Sequence, residues 1–197
     1  VWEYIEKTFL PEWQEQQGGR VLNVWSAASS TGEEAHTLGI LLQHYKDSHA
    51  GFDYKIQGTD IDTTVIDRAT QGVYAGRSIE RFRHAMPEWF KKYMQGNDSD
   101  GYVVVPEIKK RLNFSHFNLF STPPVTPKFD LVLVRNVLIY FTPGDQESVM
   151  STVYKRLEAN GVVIIGESES LNNLKTDFQA VAPTIYRPSS SAIEKAA

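Results

Sequence analysis

The sequence predicts an α/β fold: a doubly wound, Rossmann-like sheet of mostly parallel strands with helices on both faces. Short apolar segments alternate with helical segments along the 197 residues, which is typical of this class. The segment Phe129–Val134 contains a continuous apolar run, residues 131–134, as expected for a strand buried between two layers of helices. Polar side chains follow several predicted strands, where such sheets bind ligands.

Composition excludes several classes of protein. The net charge of −4 and the pI of about 5.7 give no electrostatic case for binding nucleic acid or an anionic membrane. The absence of cysteine excludes disulfides and thiolate metal sites, and no EF-hand spacing is present, so we expect no metal. No apolar run is long enough to span a bilayer and no signal peptide is visible. We expect a cytoplasmic protein, with a monomer as the default.

Residues 1–17 are predicted to form an amphipathic helix. Trp2, Ile5, Phe9 and Trp13 recur at helical spacing, and we interpret this stripe as core packing. Pro11 should bend or divide the helix. Residues 20–25 follow as the first strand.

A loop of small residues joins that strand to a helix that opens on Glu33 and Glu34 and runs to about residue 45. Small side chains allow a ligand to approach the backbone closely, and the helix start offers free N–H groups. Either Ser30 or Thr31 can cap the helix, because each has a glutamate three residues later. The pattern leaves open which glutamate is free. An ordinary βα turn would look similar.

The second strand, residues 54–59, ends at Asp60, where an acid is placed to accept hydrogen bonds from a ribose diol. Asp62 is predicted to cap the helix that follows it. The alternative is that both aspartates are caps. A helical region over 79–94 comes next, and residues 96–117 are predicted to form a small antiparallel insert.

The last third of the chain continues the alternation. Thr142 and Pro143 have the pattern of a helix start, and that helix should reach about residue 157. A turn at residues 160–161 should precede a strand over 162–165. Segments 178–181 and 184–187 are predicted to be a closing pair of strands, and a polar tail follows.

Four polar clusters should therefore meet at one sheet edge, because each follows a predicted strand. They are the loop before Glu33, Asp60, the pair Asn118 and Leu119, and the pair Arg135 and Asn136.

Five segments together resemble the catalytic domain of CheR-type chemoreceptor methyltransferases, in the right order from about residue 1 to residue 187. They are residues 25–34, 59–62, 118–119, 135–141 and 166–171. The resemblance implies a class I methyltransferase fold with S-adenosylmethionine as cofactor. It also implies that glutamate side chains in the cytoplasmic domain of chemoreceptors accept the methyl group and that S-adenosylhomocysteine is the product.

By motif match, the resemblance assigns roles to individual residues. Tyr140 would lie beside the transferred methyl group. Arg135 would line the pocket and counter a negative charge, with a strand-end ion pair as its alternative role. The insert, residues 95–117, resembles a β-subdomain that in some members docks a receptor tether peptide. The cofactor-binding residues would be Ala27, Glu34, Asp60, Asn118, Leu119, Arg135 and Asn136.

Two features depart from the family pattern. A Thr-x-Phe-Phe-Arg motif and a basic helical domain precede the corresponding first helix in the family and are not in this sequence; we expect truncation to explain this. Where the family usually has Pro-Tyr-Ser after the cofactor-contacting acid, this chain has Ala35, His36 and Thr37, and we interpret His36 as a packing change.

Three other functions compete with this interpretation. A nucleotide-dependent oxidoreductase would carry G-x-G-x-x-G in the first loop, which this chain lacks. A silent domain that binds cofactor or receptor is disfavoured by the presence of Asp60, Arg135 and Tyr140. A small-molecule methyltransferase should lack the insert and the motif at 135–141.

Overall fold

The computed structural model describes residues 1–17, 19–123 and 127–189. Its central feature is a seven-stranded sheet in the order β5-β2-β1-β6-β7-β9-β8, beside a separate hairpin of β3 and β4. The strands are β1 Val21–Ser26, β2 Asp53–Asp60, β3 Met94–Asn97, β4 Gly101–Val104, β5 Leu112–His116, β6 Phe129–Val134, β7 Leu157–Ile165, β8 Phe178–Ala182 and β9 Ile185–Pro188.

Helices connect most of these strands. The first helix, α1, consists of α-helical Trp2–Tyr4, a π-helical turn Ile5–Phe9 and α-helical Leu10–Gln17. None of the helices in the described part of the chain is long and apolar enough to cross a membrane. The remaining helices are α2 Glu33–Ser48, α3 Thr63–Gln71, α4 Arg77–Ala85, α5 Pro87–Tyr93, α6 Pro106–Lys109, a 3₁₀ turn Leu138–Tyr140 and α7 Pro143–Arg156.

The sheet is doubly wound, as predicted. Strands β5, β2, β1, β6 and β7 are parallel, and β1 lies at the centre. From β1 the chain first adds β2 on one side and later adds β6 on the other, so the order reverses next to β1. The closing pair is also confirmed, since β9 is antiparallel to both β7 and β8. The carboxyl ends of β5, β2, β1 and β6 therefore share one edge, where ligands bind in such sheets.

Two apolar clusters cover the two faces of the sheet. Alternate residues of a strand point to opposite faces, so Val24 joins the cluster of α1 and α2 while the adjacent Trp25 joins that of α7. The predicted stripe on α1 packs into the first cluster: Ile5, Phe9 and Trp13 are buried there.

Pro11 neither divides nor ends α1. Proline in a helix clashes with the carbonyl four residues earlier. Here the preceding turn widens: the Leu10 N–H donates to the Ile5 carbonyl in a π-helical turn. The helix therefore continues through the proline.

The predicted extent of the antiparallel insert is wrong. Of the strands in this region, only β3 and β4 pair antiparallel with each other. Residues 112–116 instead form β5, which pairs in parallel with β2 from Ile56 to Asp60 at the edge of the main sheet. The alternating pattern of this segment indicates a strand but does not specify which strand it pairs with.

The last third of the chain differs from prediction mainly in one boundary. The Thr142 side chain caps α7 as predicted, accepting a hydrogen bond from the Asp145 N–H at 3.3 Å, and Pro143 begins the helix. Strand β7 starts at Leu157, five residues before the predicted start, so residues 160–161 belong to the strand. They lie at a register shift in its pairing with β6, which becomes regular at Val162, where the strand is predicted to begin. The predicted polar tail lies outside the described residues from residue 190 onward.

Candidate functional site at the carboxyl edge of the sheet

The loop between β1 and α2 is held by backbone hydrogen bonds to both neighbouring strands. The Ala27 N–H donates to the Leu133 carbonyl at 2.9 Å, and the Ser29 N–H donates to the Thr59 carbonyl at 2.8 Å. The Thr59 hydroxyl donates to the Ala27 carbonyl at 3.0 Å and accepts the Trp25 indole N–H at 2.8 Å. The small residues of this loop are therefore fixed directly above the sheet edge.

The predicted side-chain cap of α2 is wrong. The N-cap residue is Gly32, with φ of 85°, and neither Ser30 nor Thr31 caps the helix through its side chain. A Cβ at position 32 would lie 2.8 Å from the Cβ of Ala69, and this φ favours glycine. The loop thus comes too close to α3 for any larger residue.

Glu34 is the acid that faces inward from the first turn of α2, whereas Glu33 is exposed. One oxygen of Glu34 accepts the Ser26 hydroxyl at 2.9 Å, and the other accepts Arg135 Nη1 at 2.9 Å. Burial raises the pKa of Glu34, and the Ser26 hydrogen bond and the Arg135 charge only partly oppose this effect. Sequence analysis missed Ser26, which lies in the expected loop but carries no motif of its own.

Asp60, at the end of β2, binds the loop between β1 and α2 and so connects that loop to β2. Its Oδ2 accepts the Ser30 N–H at 2.9 Å and its Oδ1 accepts the Asp62 N–H at 3.1 Å. Asp62 caps α3 as predicted, through the Thr64 N–H at 2.7 Å. Asp60 is therefore not a helix cap, and it retains lone pairs for further donors.

Asn118 and Leu119 follow β5 next to Asp60, since the Phe117 N–H donates to the Asp60 carbonyl at 2.9 Å. The Asn118 side chain accepts the Phe120 N–H at 2.9 Å and so closes a local turn. Leu119 is buried in the core cluster of α7. Residues 118–119 therefore lie at the carboxyl edge of the sheet, on the side of β5.

The segment after β6 brings Arg135 to Glu34 and leaves Tyr140 exposed. The Arg135 guanidinium lies 5.9 Å from the centre of the Trp2 ring, and its buried Nε has no hydrogen-bond partner within the described residues. Asn136 has a φ of 59°, which turns the chain sharply. The Tyr140 side chain is 78% exposed at the end of the 3₁₀ turn.

His36 is a packing residue, as interpreted. It is 3% exposed and stacks on Phe114 at 5.4 Å. Its Nδ1 donates to the Gly32 carbonyl at 2.8 Å and lies 2.8 Å from the Tyr74 hydroxyl, which donates to the Thr31 carbonyl at 2.9 Å. Burial lowers the pKa of His36. His36 and Tyr74 thus support the loop between β1 and α2 through hydrogen bonds to its backbone carbonyls.

A cleft of about 370 Å³ at the opposite end of β6 contains none of the predicted site residues. Its charged groups pair with one another: Arg20 with Asp130 and Glu158, and Arg187 with Glu12. We therefore place the site at the carboxyl edge of the sheet, where charged and polar groups can still accept hydrogen bonds from a ligand.

The residues at this edge fit a cofactor made of an amino acid, a ribose and a base. The fit rests on the carboxylates of Glu34 and Asp60, which complement an ammonium group and a diol. Two buried polar atoms of the same segments, Arg135 Nε and Ser29 Oγ, have no hydrogen-bond partner in the described ranges. No group of three or more potential metal ligands occurs among the described residues. Fold and site define a Rossmann-like α/β domain with a candidate cofactor site at the carboxyl edge of its sheet.

Comparison with known proteins specifies the family. Residues 1–187 match the family described as "CheR methyltransferase, SAM binding domain", and the chain belongs to it. S-adenosylmethionine is accordingly the cofactor of this domain.

Several curated relatives are named chemotaxis protein methyltransferases. "Chemotaxis protein methyltransferase 1" of Pseudomonas aeruginosa is 30% identical over 182 residues, which are 91% of this chain and 66% of the relative. A "Probable chemotaxis protein methyltransferase" of Rhizobium etli is 32% identical over 190 residues, covering 94% of this chain and 70% of the relative. A "Chemotaxis protein methyltransferase" of Listeria innocua is 33% identical over 172 residues, covering 87% of this chain and 62% of the relative. The chain thus spans roughly two thirds of the length of these relatives.

Proposed function

We propose that this chain carries the catalytic domain, residues 1–187, of a methyltransferase that esterifies glutamate side chains of chemoreceptors in the cytoplasm. The observation that carries the proposal is that the Glu34–Arg135 ion pair and the loop bound by Asp60 lie at the same edge of the sheet, in a chain that belongs to the CheR family. The names of the curated relatives support a role in chemotaxis.

Asp60 and Glu34 are the proposed polar anchors for the cofactor. Asp60 keeps lone pairs beside the Ser30 N–H, which suits the ribose diol. Glu34 presents a carboxylate that suits the amino-acid ammonium group, and Arg135 holds that carboxylate in place. The ion pair supports the strand-end role for Arg135. Ala27, Asn118, Leu119 and Asn136 are the proposed pocket lining.

The proposed chemistry needs no general base. When bound, S-adenosylmethionine would supply a methyl group whose carbon is activated toward nucleophiles by the attached sulfonium, with S-adenosylhomocysteine as the leaving group. An ionised glutamate side chain is already a nucleophile with no proton to lose, so the protein has to align it and remove water from it. Tyr140 is the proposed acceptor-side group: its exposed side chain is free to donate a hydrogen bond to the incoming carboxylate.

Cofactor binding is tested by calorimetric titration of the chain with S-adenosylhomocysteine. We expect Asp60→Ala to weaken binding by about 1–3 kcal/mol, the cost of leaving buried polar groups unpaired. Asp67→Ala is the matched control, because Asp67 is an exposed acid on the next helix. Equal affinity of the two variants would contradict the proposed role of Asp60.

Methyl transfer is tested with a chemoreceptor cytoplasmic fragment. A glutamate methyl ester is base-labile and releases methanol, whereas N-methyl products do not. We expect methanol from the wild-type fragment and none from a fragment whose acceptor glutamates are glutamines. Cofactor binding without methanol would favour a silent binding domain.

The hairpin of β3 and β4 is the proposed docking place for a receptor tether peptide. One side of β4 pairs with β3, and Tyr74 forms a bridge with Tyr102 of β4. Gln95, Gly96 and Asn97 of β3 are exposed, so an extended peptide can add as a strand there. Calorimetric titration with C-terminal receptor peptides tests this: we expect saturable binding, and a peptide that does not bind would contradict the proposal.

A further inference from the structure

Glu169 connects the segments that follow β6 and β7. Its Oε1 accepts the N–H groups of Val137 at 2.9 Å and Leu138 at 2.7 Å. Its Oε2 accepts those of Asn136 at 3.1 Å and Gly166 at 2.6 Å. One carboxylate thus satisfies four backbone donors from two loops at the site edge.

These hydrogen bonds account for the shape of the segment after β6. The first N–H groups of a helical turn lack partners within the turn, and an ionised acceptor binds them strongly. Here the turn is the 3₁₀ turn that ends at Tyr140. Asn136, with its φ of 59°, is held by the same carboxylate just after Arg135.

Gly166 permits this close approach. A Cβ at position 166 would lie 2.6 Å from Glu169 Oε2, 2.9 Å from Asn136 Oδ1 and 3.0 Å from the Asn136 nitrogen. The two loops therefore touch only because residue 166 is glycine.

We propose that Glu169 is a positioning residue for the transfer reaction: it holds the segment of residues 135–140 so that Arg135 reaches Glu34 and Tyr140 stands at the sheet edge. The role rests on the proposed function above. Glu169 acts through the loop, since its two oxygens already accept four hydrogen bonds.

Two variants and one matched control test the role. Glu169→Ala removes all four hydrogen bonds. Glu169→Gln keeps one acceptor oxygen and restores part of them. Glu167→Gln removes the same charge from an exposed position two residues earlier.

Three measurements are made at a temperature where circular dichroism shows every variant folded. Hydrogen exchange at residues 136–138 should accelerate in Glu169→Ala. Affinity for S-adenosylhomocysteine should fall about tenfold, and kcat on the receptor fragment about a hundredfold, the scale of a misplacement of about 1 Å. Glu169→Gln should lie between this variant and wild type, and Glu167→Gln should match wild type.

The outcomes separate this role from the proposed function. A purely structural role would lower the melting temperature of Glu169→Ala but leave the affinity and kcat of the folded variant unchanged, which overturns the proposal. Unchanged exchange at residues 136–138 overturns it as well. If wild type itself does not bind S-adenosylhomocysteine, the proposed function fails and the positioning role fails with it.

Discussion

Replacing Arg135 with alanine should destabilise the protein through Glu34. The two side chains are only 18% and 20% exposed, and the ion pair between them measures 2.9 Å. Removing one partner of a buried pair costs about 3–5 kcal/mol, while exposed pairs contribute about 0–1 kcal/mol. With a fifth of each side chain exposed, and with Ser26 still donating to Glu34, we expect a loss of about 2–3 kcal/mol at neutral pH.

The cost should depend on pH, because Glu34 can escape it by binding a proton. Burial already raises its pKa in the folded protein above 4.5. A carboxyl with a higher pKa in the folded state binds its proton more tightly there, so stability falls as the pH rises through that value. Loss of Arg135 raises the pKa further. Arg135→Ala should therefore cost more at pH 7.5 than at pH 5.

Urea denaturation at the two pH values measures this cost, in a double-mutant cycle with Glu34→Gln. A neutral amide needs no counter-ion, so Arg135→Ala should cost little in the Glu34→Gln background. Arg135→Lys, which keeps a positive charge, should lose less than alanine. If the two substitutions are additive and the cost is the same at both pH values, the ion pair does not couple these residues and the argument fails.

Three further predictions concern the support of the cofactor loop. Tyr74→Phe removes the hydroxyl that donates to the Thr31 carbonyl, so affinity for S-adenosylhomocysteine should fall severalfold and stability by about 1 kcal/mol. Calorimetry measures the affinity and urea denaturation measures the stability. Unchanged values would contradict a role of Tyr74 in supporting the loop. Gly72→Ala should destabilise by more than about 1 kcal/mol, since φ is 63° and a Cβ would lie 2.7 Å from His36 Nε2; a variant as stable as wild type in urea refutes this. Burial lowers the pKa of His36 below 6.5, so the folded state binds this proton less tightly than the unfolded state does. The free energy of unfolding, relative to that of His36→Phe, should therefore fall as the pH drops below 6.5. If wild type and His36→Phe differ in stability by the same amount at pH 7.5 and pH 5.5, His36 does not take up a proton on unfolding.

Features that depend on local chemistry could be predicted from the sequence. The burial of β6 follows from its apolar run, and the starts of α3 and α7 follow from Asp62 and Thr142, whose side chains bind the first N–H groups of those helices. The meeting of Asp60 with the loop also follows from strand order, because parallel strands end at the same edge.

Features that depend on distant neighbours could not be predicted. Ser30 and Thr31 are residue types that often cap helices. The N-cap of α2 is nevertheless Gly32, because Ala69 lies too close for a residue with a side chain. The alternating pattern of β5 indicates a strand without specifying its partner, so its parallel pairing with β2 does not follow from the sequence. Glu169 belongs to the family-like segment of residues 166–171, yet its four donors come from loops that meet only in the folded chain.

The π-helical turn of α1 sets the phase of the residues that precede it. A π turn contains one residue more than an α turn, which rotates the helix faces on its two sides by roughly 100° relative to each other. Trp2 lies before the turn; it packs on the edge of the core cluster that contains Trp13 and also reaches the Arg135 guanidinium. A regular α-helix through Ile5–Phe9 would rotate Trp2 by roughly 100° relative to the core stripe. The widened turn that accommodates Pro11 therefore also sets where Trp2 meets Arg135.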